Sequence, residues 1–161
     1  MQQIGVEALR KLEQTLHAEI PLTRAMGVCV AQFNAAGLTL RAPLAPNINH
    51  KSTAFGGSLA TLATLAGWGL LQLLLREQRP VTVVIQESSV RYLRPVAEYL
   101  QAICSMPQAR ELDKFLRTLT RTGMARIELE VSIPAGGETA VKFRGWFVAL
   151  DKSRHPHAQP V

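Results

Sequence analysis

The chain has 161 residues, of which 47% are hydrophobic and 19% charged, and its formal net charge is +6. This length and composition allow a sizeable core without disulfides or metals, so Cys29 and Cys104 are predicted to be buried thiols, with a disulfide as the less favoured alternative. The positive charge suits an acidic or phosphate-bearing partner. Nucleic acid is a poor candidate because only 6% of residues are aromatic and no nucleic-acid-binding signature is present. The histidines and cysteines lack metal-ligand spacing, and no metal or tightly held cofactor is expected.

Hydrophobic periodicity predicts an α+β chain with one long central helix. A first helix and two short strands precede the long helix, and four strands with alternating polarity follow it. The first helix is predicted at Val6 to Ile20, and the four strands near Val81 to Tyr92, Tyr99 to Met106, Met124 to Ile133 and Val141 to Leu150. This order predicts one domain over residues 1–152, in which a curved antiparallel sheet wraps the long helix, and a flexible tail over residues 153–161. The N-terminus lacks a basic start followed by an apolar core, so a cytoplasmic protein is expected.

The segment from Ser52 to Leu75 contains 24 residues without a charge, and a membrane span needs only about 20. Its four glycines, its Ser, Thr and Gln residues and the alternating strands downstream favour a buried helix instead. At about 100° per residue, one side of this helix carries a mostly polar strip. The strip consists of Ser58, Thr61, Thr64, Trp68 and Gln72. We therefore expect a helix enclosed by the sheet, with this strip at a cleft and no membrane span.

The long helix begins at a glycine pair, Gly56 and Gly57. A helix start exposes unpaired backbone N–H groups and the positive end of the helix dipole, and glycines let a ligand approach them closely. The two amides are therefore predicted to form an oxyanion site for a carbonyl oxygen that gains charge during a reaction. The alternative is that the pair only permits a tight turn and close packing of the helix.

Two motifs flank this helix. The spacing Asn-x-x-x-Thr-x-x-Gly-Gly, from Asn49 through Thr53 to the glycine pair, precedes it, and a strand that ends in Tyr-Leu-Arg-Pro-Val at residues 92–96 follows it. With this order of elements, nearly the entire chain resembles the hotdog fold, in particular the thioesterase-like hotdog domains found alone or fused to an acetyltransferase. The resemblance implies a homodimer or a dimer of dimers, with active clefts at the subunit interface. It also implies an acyl-thioester substrate that carries coenzyme A or the phosphopantetheine of an acyl carrier protein.

The resemblance also implies roles for particular residues. In such thioesterases the helix-start amides polarise the thioester carbonyl, and a carboxylate further along the helix activates water. That carboxylate position falls on Thr64, whose hydroxyl is too weakly acidic to serve as a base near neutral pH. Asn49 matches the family's Asn, which hydrogen-bonds the water or the carbonyl, whereas Phe55 replaces a frequent His and Ile85 replaces a Ser or Thr of some members. The side chains expected to contact the substrate are Thr53, Phe55, Ser58 and Thr61.

Two residues are candidates for the missing base. His50 lies beside the matching Asn, and Glu87 lies in a polar cluster with Gln86 and Ser88 on the strand after the helix. Both are also compatible with ordinary surface positions. Without a base, the same oxyanion site would suit decarboxylation of a malonyl thioester, which needs no activated water. Thioester hydrolysis is the leading hypothesis, decarboxylation is the alternative, and a non-catalytic acyl-thioester binding module is the competing class.

The segment from Pro107 to Arg121 predicts an amphipathic helix with cations on one face. We call these cations the basic stripe, and they are Arg110, Lys114, Arg117 and Arg121. The leucines and Phe115 on the opposite face are expected to dock on the domain. An acidic carrier protein, the phosphates of coenzyme A or solvent would then face the stripe, and Arg91 and Arg94 at the strand end are further candidates for phosphate binding.

Overall fold

The computed structural model describes residues 5–77 and 80–154. It contains four α-helices and six β-strands in the predicted α+β order. Two elements were not predicted, a short helix directly after the first and a 3-10 turn at Ala45–Asn47. The helices are α1 (Val6–Glu19), α2 (Pro21–Met26), α3 (Gly56–Leu75) and α4 (Ala109–Thr122), and the strands are β1 (Cys29–Asn34), β2 (Gly37–Ala42), β3 (Val81–Tyr92), β4 (Leu100–Ser105), β5 (Met124–Ala135) and β6 (Glu138–Asp151).

The six strands form one antiparallel sheet in the order β1-β2-β4-β5-β6-β3, and α3 packs across one face of it. We call this the inner face. On β5 and β6 the odd-numbered side chains, such as Ile133 and Phe147, are buried on the inner face, and the even-numbered ones, such as Arg126 and Arg144, point outward. The predicted hotdog arrangement, a long helix wrapped by a sheet, is confirmed.

Close packing between α3 and the sheet depends on small residues in the helix. A Cβ atom on Gly67 would lie 2.5 Å from Cζ of Phe147, whose side chain is fully buried. Eleven of the 20 residues of α3 are buried, and the predicted strip from Ser58 to Gln72 is its partly exposed side. By length and composition α3 is apolar enough to cross a membrane, but it forms the core of a globular domain.

A β-bulge divides the edge strand β3 into two parts with opposite alternation. Ile85 pairs with Phe147 on the inner face, whereas Glu87 pairs with Trp146 on the outer face, so the register shifts at Gln86. An extra residue in one strand of an antiparallel pair reverses which later side chains face the core. The bulge therefore decides which polar side chains of β3 lie beside α3.

The helix α4 is amphipathic as predicted. Its apolar residues Phe115 and Leu119 are buried, and all four cations of the basic stripe are exposed. It lies along the first half of β5 and encloses a cavity of about 480 Å³ together with outward-facing side chains that include Arg126 and Trp146. The first half of β5 has no β4 partner, because the two strands pair only at Val131 and Ser132, and α4 flanks it there with its buried side chains in the common core.

The cysteines are both free thiols. Cys104 is buried, and burial raises the pKa of its thiol to about 12. Cys29 is half-buried, and burial together with the nearby Glu13 carboxylate raises its pKa as well. Since the reactive form is the thiolate, both thiols should be unreactive near neutral pH.

Replacing Gly67 by Ala should destabilise the protein. Alanine is favoured over glycine in a helix by up to ~1 kcal/mol, but the added Cβ would overlap the Phe147 ring, and overpacking a core costs about 1–3 kcal/mol. The free energy of unfolding is measured by urea denaturation. The matched control is Gly67→Ala in a Phe147→Leu background, where the smaller side chain should remove the penalty. Stabilisation by Gly67→Ala alone would show that the Phe147 ring moves aside at little energetic cost.

Candidate active site

The loop before α3 is anchored by a buried asparagine that sequence reasoning missed. Nδ2 of Asn47 donates to the carbonyl oxygens of Met26 and Pro43, both at 2.8 Å. Its backbone carbonyl accepts from the Phe55 N–H at 2.7 Å. These bonds fix the point at which the chain enters α3. A buried asparagine is visible in the sequence only as one polar residue among many.

The side chain of Asn49 holds the rest of this loop together. Its Oδ1 accepts from the backbone N–H groups of Lys51 and Thr53, at 2.8 and 3.3 Å. Its Nδ2 donates to Thr53 Oγ1 and to the Ala54 carbonyl, at 3.0 and 3.3 Å. An asparagine amide has two N–H donors and an oxygen with two lone pairs, so all four positions are occupied within the loop. The structure thus gives Asn49 and Thr53 a role in shaping the loop, and their contact with a substrate stays a prediction.

Three backbone N–H groups at the start of α3 have no acceptor within residues 5–77 and 80–154. They belong to Gly56, Gly57 and Ser58, because the first intrahelical bond runs from Leu59 N to Phe55 O at 3.1 Å. Phe55 occupies the N-cap position and offers no side-chain acceptor. Unpaired donors and the positive end of the helix dipole therefore meet at this point, which is the arrangement that binds an anion or a developing oxyanion.

Two aromatic rings flank these amides. The ring of Phe55 is 57% exposed, and a Cβ atom on Gly57 would lie 2.3 Å from its Cε1. On the other side, the Tyr92 hydroxyl donates to the Gly56 carbonyl at 2.9 Å. Each glycine therefore lies against an aromatic ring that a larger side chain at its position would disturb.

The hydroxyls along the half-exposed strip of α3 differ in availability. Thr64 Oγ1 donates to the carbonyl of Ala60, one turn earlier, at 3.0 Å. Within the part of the chain that the structure describes, Ser58 and Thr61 have no hydrogen-bond partner for their hydroxyls. The position expected to hold a carboxylate is thus occupied by a hydroxyl bonded to its own helix, whereas Ser58 and Thr61 remain available.

The structure does not bring Glu87 to the helix start. It lies on the outer face of β3 opposite Trp146, because the bulge at Gln86 shifts the alternation. Ser88, the next residue, pairs with Gly145 on the inner face and is exposed there. Glu87 was predicted as a replacement base, and its placement argues against that role. Ser88 is the strand hydroxyl on the α3 side, and only knowledge of the bulge reveals it.

The remaining base candidate is His50. It is exposed in the turn between Asn49 and Thr53, and its ring makes no hydrogen bond to a described residue. The position assigned to a strand Ser or Thr, Ile85, is half-buried on the inner face. His50 is therefore not held in place by a hydrogen bond to a described residue, and Ile85 has no group that could act as a base.

The four arginines expected to bind phosphate lie in different surroundings. Arg94 is paired with Glu138, and Arg117 with Asp113 at 3.1 Å. Arg91 lies on the outer face directly opposite Lys142, and Arg121 is exposed on α4. Tyr92 is level with Ile133 through Val141, whereas the cavity beside α4 is lined by Arg126 to Glu130, so α4 and the helix start lie beside different parts of β5.

The C-terminal segment predicted as a tail begins with two contacts. Ser153 Oγ donates to Asp151 Oδ1 at 2.6 Å, and Arg154 Nη1 donates to the Arg121 carbonyl at 2.9 Å. Residues 155–161 lie outside the described residues. Within residues 5–77 and 80–154, no group of three His, Cys, Asp or Glu side chains is arranged to hold a metal ion.

Comparison with known proteins gives one family and several similar structures. A family model described as "Putative thioesterase (yiiD_Cterm)" matches residues 9–151. A protein of unknown function from Chlorobaculum tepidum is 35% identical with a TM-score of 0.87, over 90% of this chain and 95% of that chain. A "putative thioesterase" from Shewanella oneidensis is 32% identical with a TM-score of 0.78, over 89% of this chain and 98% of that chain.

A more distant structure agrees in fold. A thioesterase from Haemophilus influenzae is 18% identical with a TM-score of 0.72, over 92% of this chain and 94% of that chain. The family match covers most of the chain, including the loop before α3, the start of α3 and the whole of β3. The chain therefore belongs to this thioesterase family and has its hotdog fold.

Proposed function

We propose that the protein is a cytoplasmic enzyme that processes acyl thioesters of coenzyme A or of acyl carrier protein. The observation that carries the proposal is the set of three unpaired amides at the start of α3. A thioester carbonyl placed against them would have its developing negative charge stabilised by preorganised donors. Family membership supports hydrolysis as the leading reaction. His50 is then the candidate proton acceptor for the attacking water.

A specific observation favours decarboxylation as the second candidate. The Thr64 hydroxyl is bonded to the Ala60 carbonyl, and Glu87 lies on the outer face of the sheet. No side-chain carboxylate occurs between Gly56 and Leu75. Loss of carbon dioxide from a malonyl thioester gives an enolate that the amides would stabilise, and a proton from solvent then yields the acetyl thioester. This reaction requires no activated water, so the lack of a positioned base does not hinder it.

We further propose that the active protein is a homodimer, or a dimer of dimers. The edge strand β3 is 12 residues long, and a long free edge is normally covered in native proteins. Large apolar side chains are exposed around the start of α3 and the end of β3, and burial in an interface would remove them from water. They are Ile48, Phe55, Tyr92 and Leu93. A partner that covers this region would also close the cleft beside α3.

The reaction is tested by incubating the purified chain with malonyl, acetyl and long-chain acyl thioesters of coenzyme A and of acyl carrier protein. Mass spectrometry of the products separates the hypotheses, because free thiol marks hydrolysis and acetyl thioester from malonyl thioester marks decarboxylation. Complete recovery of every substrate would identify a binding module.

Thr64→Asp should introduce or raise hydrolysis by adding a base on the cleft side of α3, whereas His50→Ala should abolish hydrolysis if His50 already serves as the base. Glu87→Gln, on the outer face, is the matched control and should change neither product nor rate.

Replacing Gly57 by Val should lower turnover strongly while the fold persists. A branched side chain would displace the exposed Phe55 ring and block access of a carbonyl to the amides, and loss of one oxyanion donor costs ~10²-fold or more in kcat. The measurement is kcat for the best thioester, with circular dichroism to verify folding. Gly5→Val, at an exposed glycine with φ −74° where an added Cβ would meet nothing within 4 Å, controls for the general effect of valine at a glycine. Near-normal kcat in a folded Gly57→Val protein would remove the oxyanion site from the mechanism.

We propose that the basic stripe guides an acidic carrier protein toward the cleft. A protein-sized partner can contact all four exposed cations of the stripe at once, which the phosphates of a single coenzyme A do less readily. Reversing Arg117 and Arg121 to Glu should lower kcat/KM for carrier-linked substrate and flatten its salt dependence, because exposed charges act mainly on the encounter. Coenzyme A thioesters should respond less and serve as the internal control. Identical salt slopes in the wild type and the double variant would mean that the stripe is only a solvated surface.

A further inference from the structure

The end of β3 is tied to the first turn of α3 by a single side chain. Tyr92 lies on the inner face, paired with the fully buried Val141, and its hydroxyl donates to the Gly56 carbonyl at 2.9 Å. The ring also packs beside the glycine, because a Cβ atom on Gly56 would lie 3.4 to 3.5 Å from Cζ, Cε1 and the hydroxyl oxygen. Among the described residues, no other side chain makes a hydrogen bond to the first turn of α3.

The bonded carbonyl belongs to the same peptide unit as one of the unpaired amides. The Gly56 C=O and the Gly57 N–H are two ends of one planar trans peptide, so they point in opposite directions. A bond that holds the carbonyl toward Tyr92 therefore sets the direction of the Gly57 N–H. The carbonyl oxygen has two lone pairs, so it can accept from Tyr92 as well as from the helix.

This peptide needs such support more than most. Two consecutive glycines have a wide range of backbone conformations, and the N-cap residue Phe55 supplies no side-chain bond to fix the turn. A hydrogen bond at one end of a peptide also polarises the group at the other end, and such cooperative strengthening is estimated at roughly 10–30% per bond. The bond from Tyr92 thus both orients the donor and increases its strength.

We propose that Tyr92 is a positioning residue that aims and strengthens the Gly57 N–H as an oxyanion donor. The inference rests on the proposed function, since it assigns a role within the same site. Tyr92 itself does not touch the reacting atoms. Its contribution appears only when negative charge develops on the carbonyl oxygen, because that is when the donor strength of the amide matters most.

The first test is Tyr92→Phe, which keeps the ring against Gly56 and removes the hydroxyl. We expect kcat to fall about three- to tenfold, less than the ~10²–10³ lost when an oxyanion donor is removed outright, with KM unchanged because the interaction matters in the transition state. The matched control is Tyr99→Phe, the same change at the other tyrosine, which is 60% exposed and lines a separate cavity beside Cys29 and Arg41. Its kcat should equal that of the wild type.

The second test measures binding without turnover. The probes are a trifluoromethyl ketone analogue of the best acyl-coenzyme A, whose tetrahedral hydrate presents acceptor oxygens to the amides, and the corresponding S-alkyl thioether, which has no carbonyl. Tyr92→Phe should weaken the ketone by the factor seen in kcat and leave the thioether unchanged. The ratio of the two affinities is a property of the folded protein, so a loss of stability cannot produce this result.

The outcomes separate the inference from the proposed function. An active wild type with unchanged kcat in Tyr92→Phe would overturn the role of Tyr92 alone. Equal weakening of both probes would do the same, because it would show a general disturbance of the cleft. A wild type that converts no thioester and does not prefer the ketone would overturn the proposed function and the positioning role together.

Discussion

Enclosure of α3 by the sheet is the constraint on which the rest of the structure depends. A helix of 20 uncharged residues leaves so much apolar surface that only a sheet able to cover most of its circumference keeps it out of water. Close contact then requires small residues where the aromatic side chains of β6 press against it, and Gly67 beneath Phe147 meets that need. The same enclosure leaves one strip and one end of the helix accessible. The accessible end is the start, where the backbone donors are unpaired.

The bulge at Gln86 determines which side chains in the second half of β3 face α3. Before it, β3 presents Ile85 to the inner face, and after it the strand presents Ser88 and Tyr92. If the strand instead alternated regularly through Gln86, Glu87 would take an inner position beside α3 and Tyr92 would point outward, because register shifts by one residue exchange the two faces of a strand. The bulge therefore removes a carboxylate from the cleft and delivers a phenol to the helix start. Under the proposed function, the first effect removes a possible base for water, and the second supports an oxyanion donor.

Much of the architecture was predictable from the sequence because strong periodic patterns leave few alternatives. The long uncharged helix, the alternating strands and the amphipathic α4 follow from hydrophobic spacing, and each has the predicted burial. The short helix Pro21–Met26 was missed because six residues are too few to show a helical period. The glycine pair correctly marked a helix start with unpaired amides, since that property is local.

The side-chain roles were less predictable because they depend on contacts between distant segments. Asn49 was predicted to hydrogen-bond the water or the carbonyl, and this stays a prediction; the bonds of its amide within its own loop were not foreseen. Asn47 and Tyr92 join the helix start to the Met26 carbonyl and to the end of β3. Such bonds cross 21 and 36 residues of sequence, and no local pattern encodes them. The outward placement of Glu87 could not be predicted for a related reason, since a bulge in a polar run of an edge strand leaves no periodic trace.

These features bear on how one site can serve different thioester reactions. Stabilising a developing oxyanion is common to hydrolysis and to decarboxylation, and the backbone at the start of α3 supplies it without any particular side chain. What distinguishes the reactions is whether a base holds water near the carbonyl carbon, and that depends on side chains at a few positions such as Thr64. A hotdog domain with preorganised amides can therefore change its chemistry by gaining or losing one carboxylate, while the helix, the bulge and the tyrosine that supports the amides stay in place. In this chain the rings of Phe55 and Tyr92 lie beside the two glycines, and under the proposed function such surroundings would favour charge stabilisation over proton abstraction.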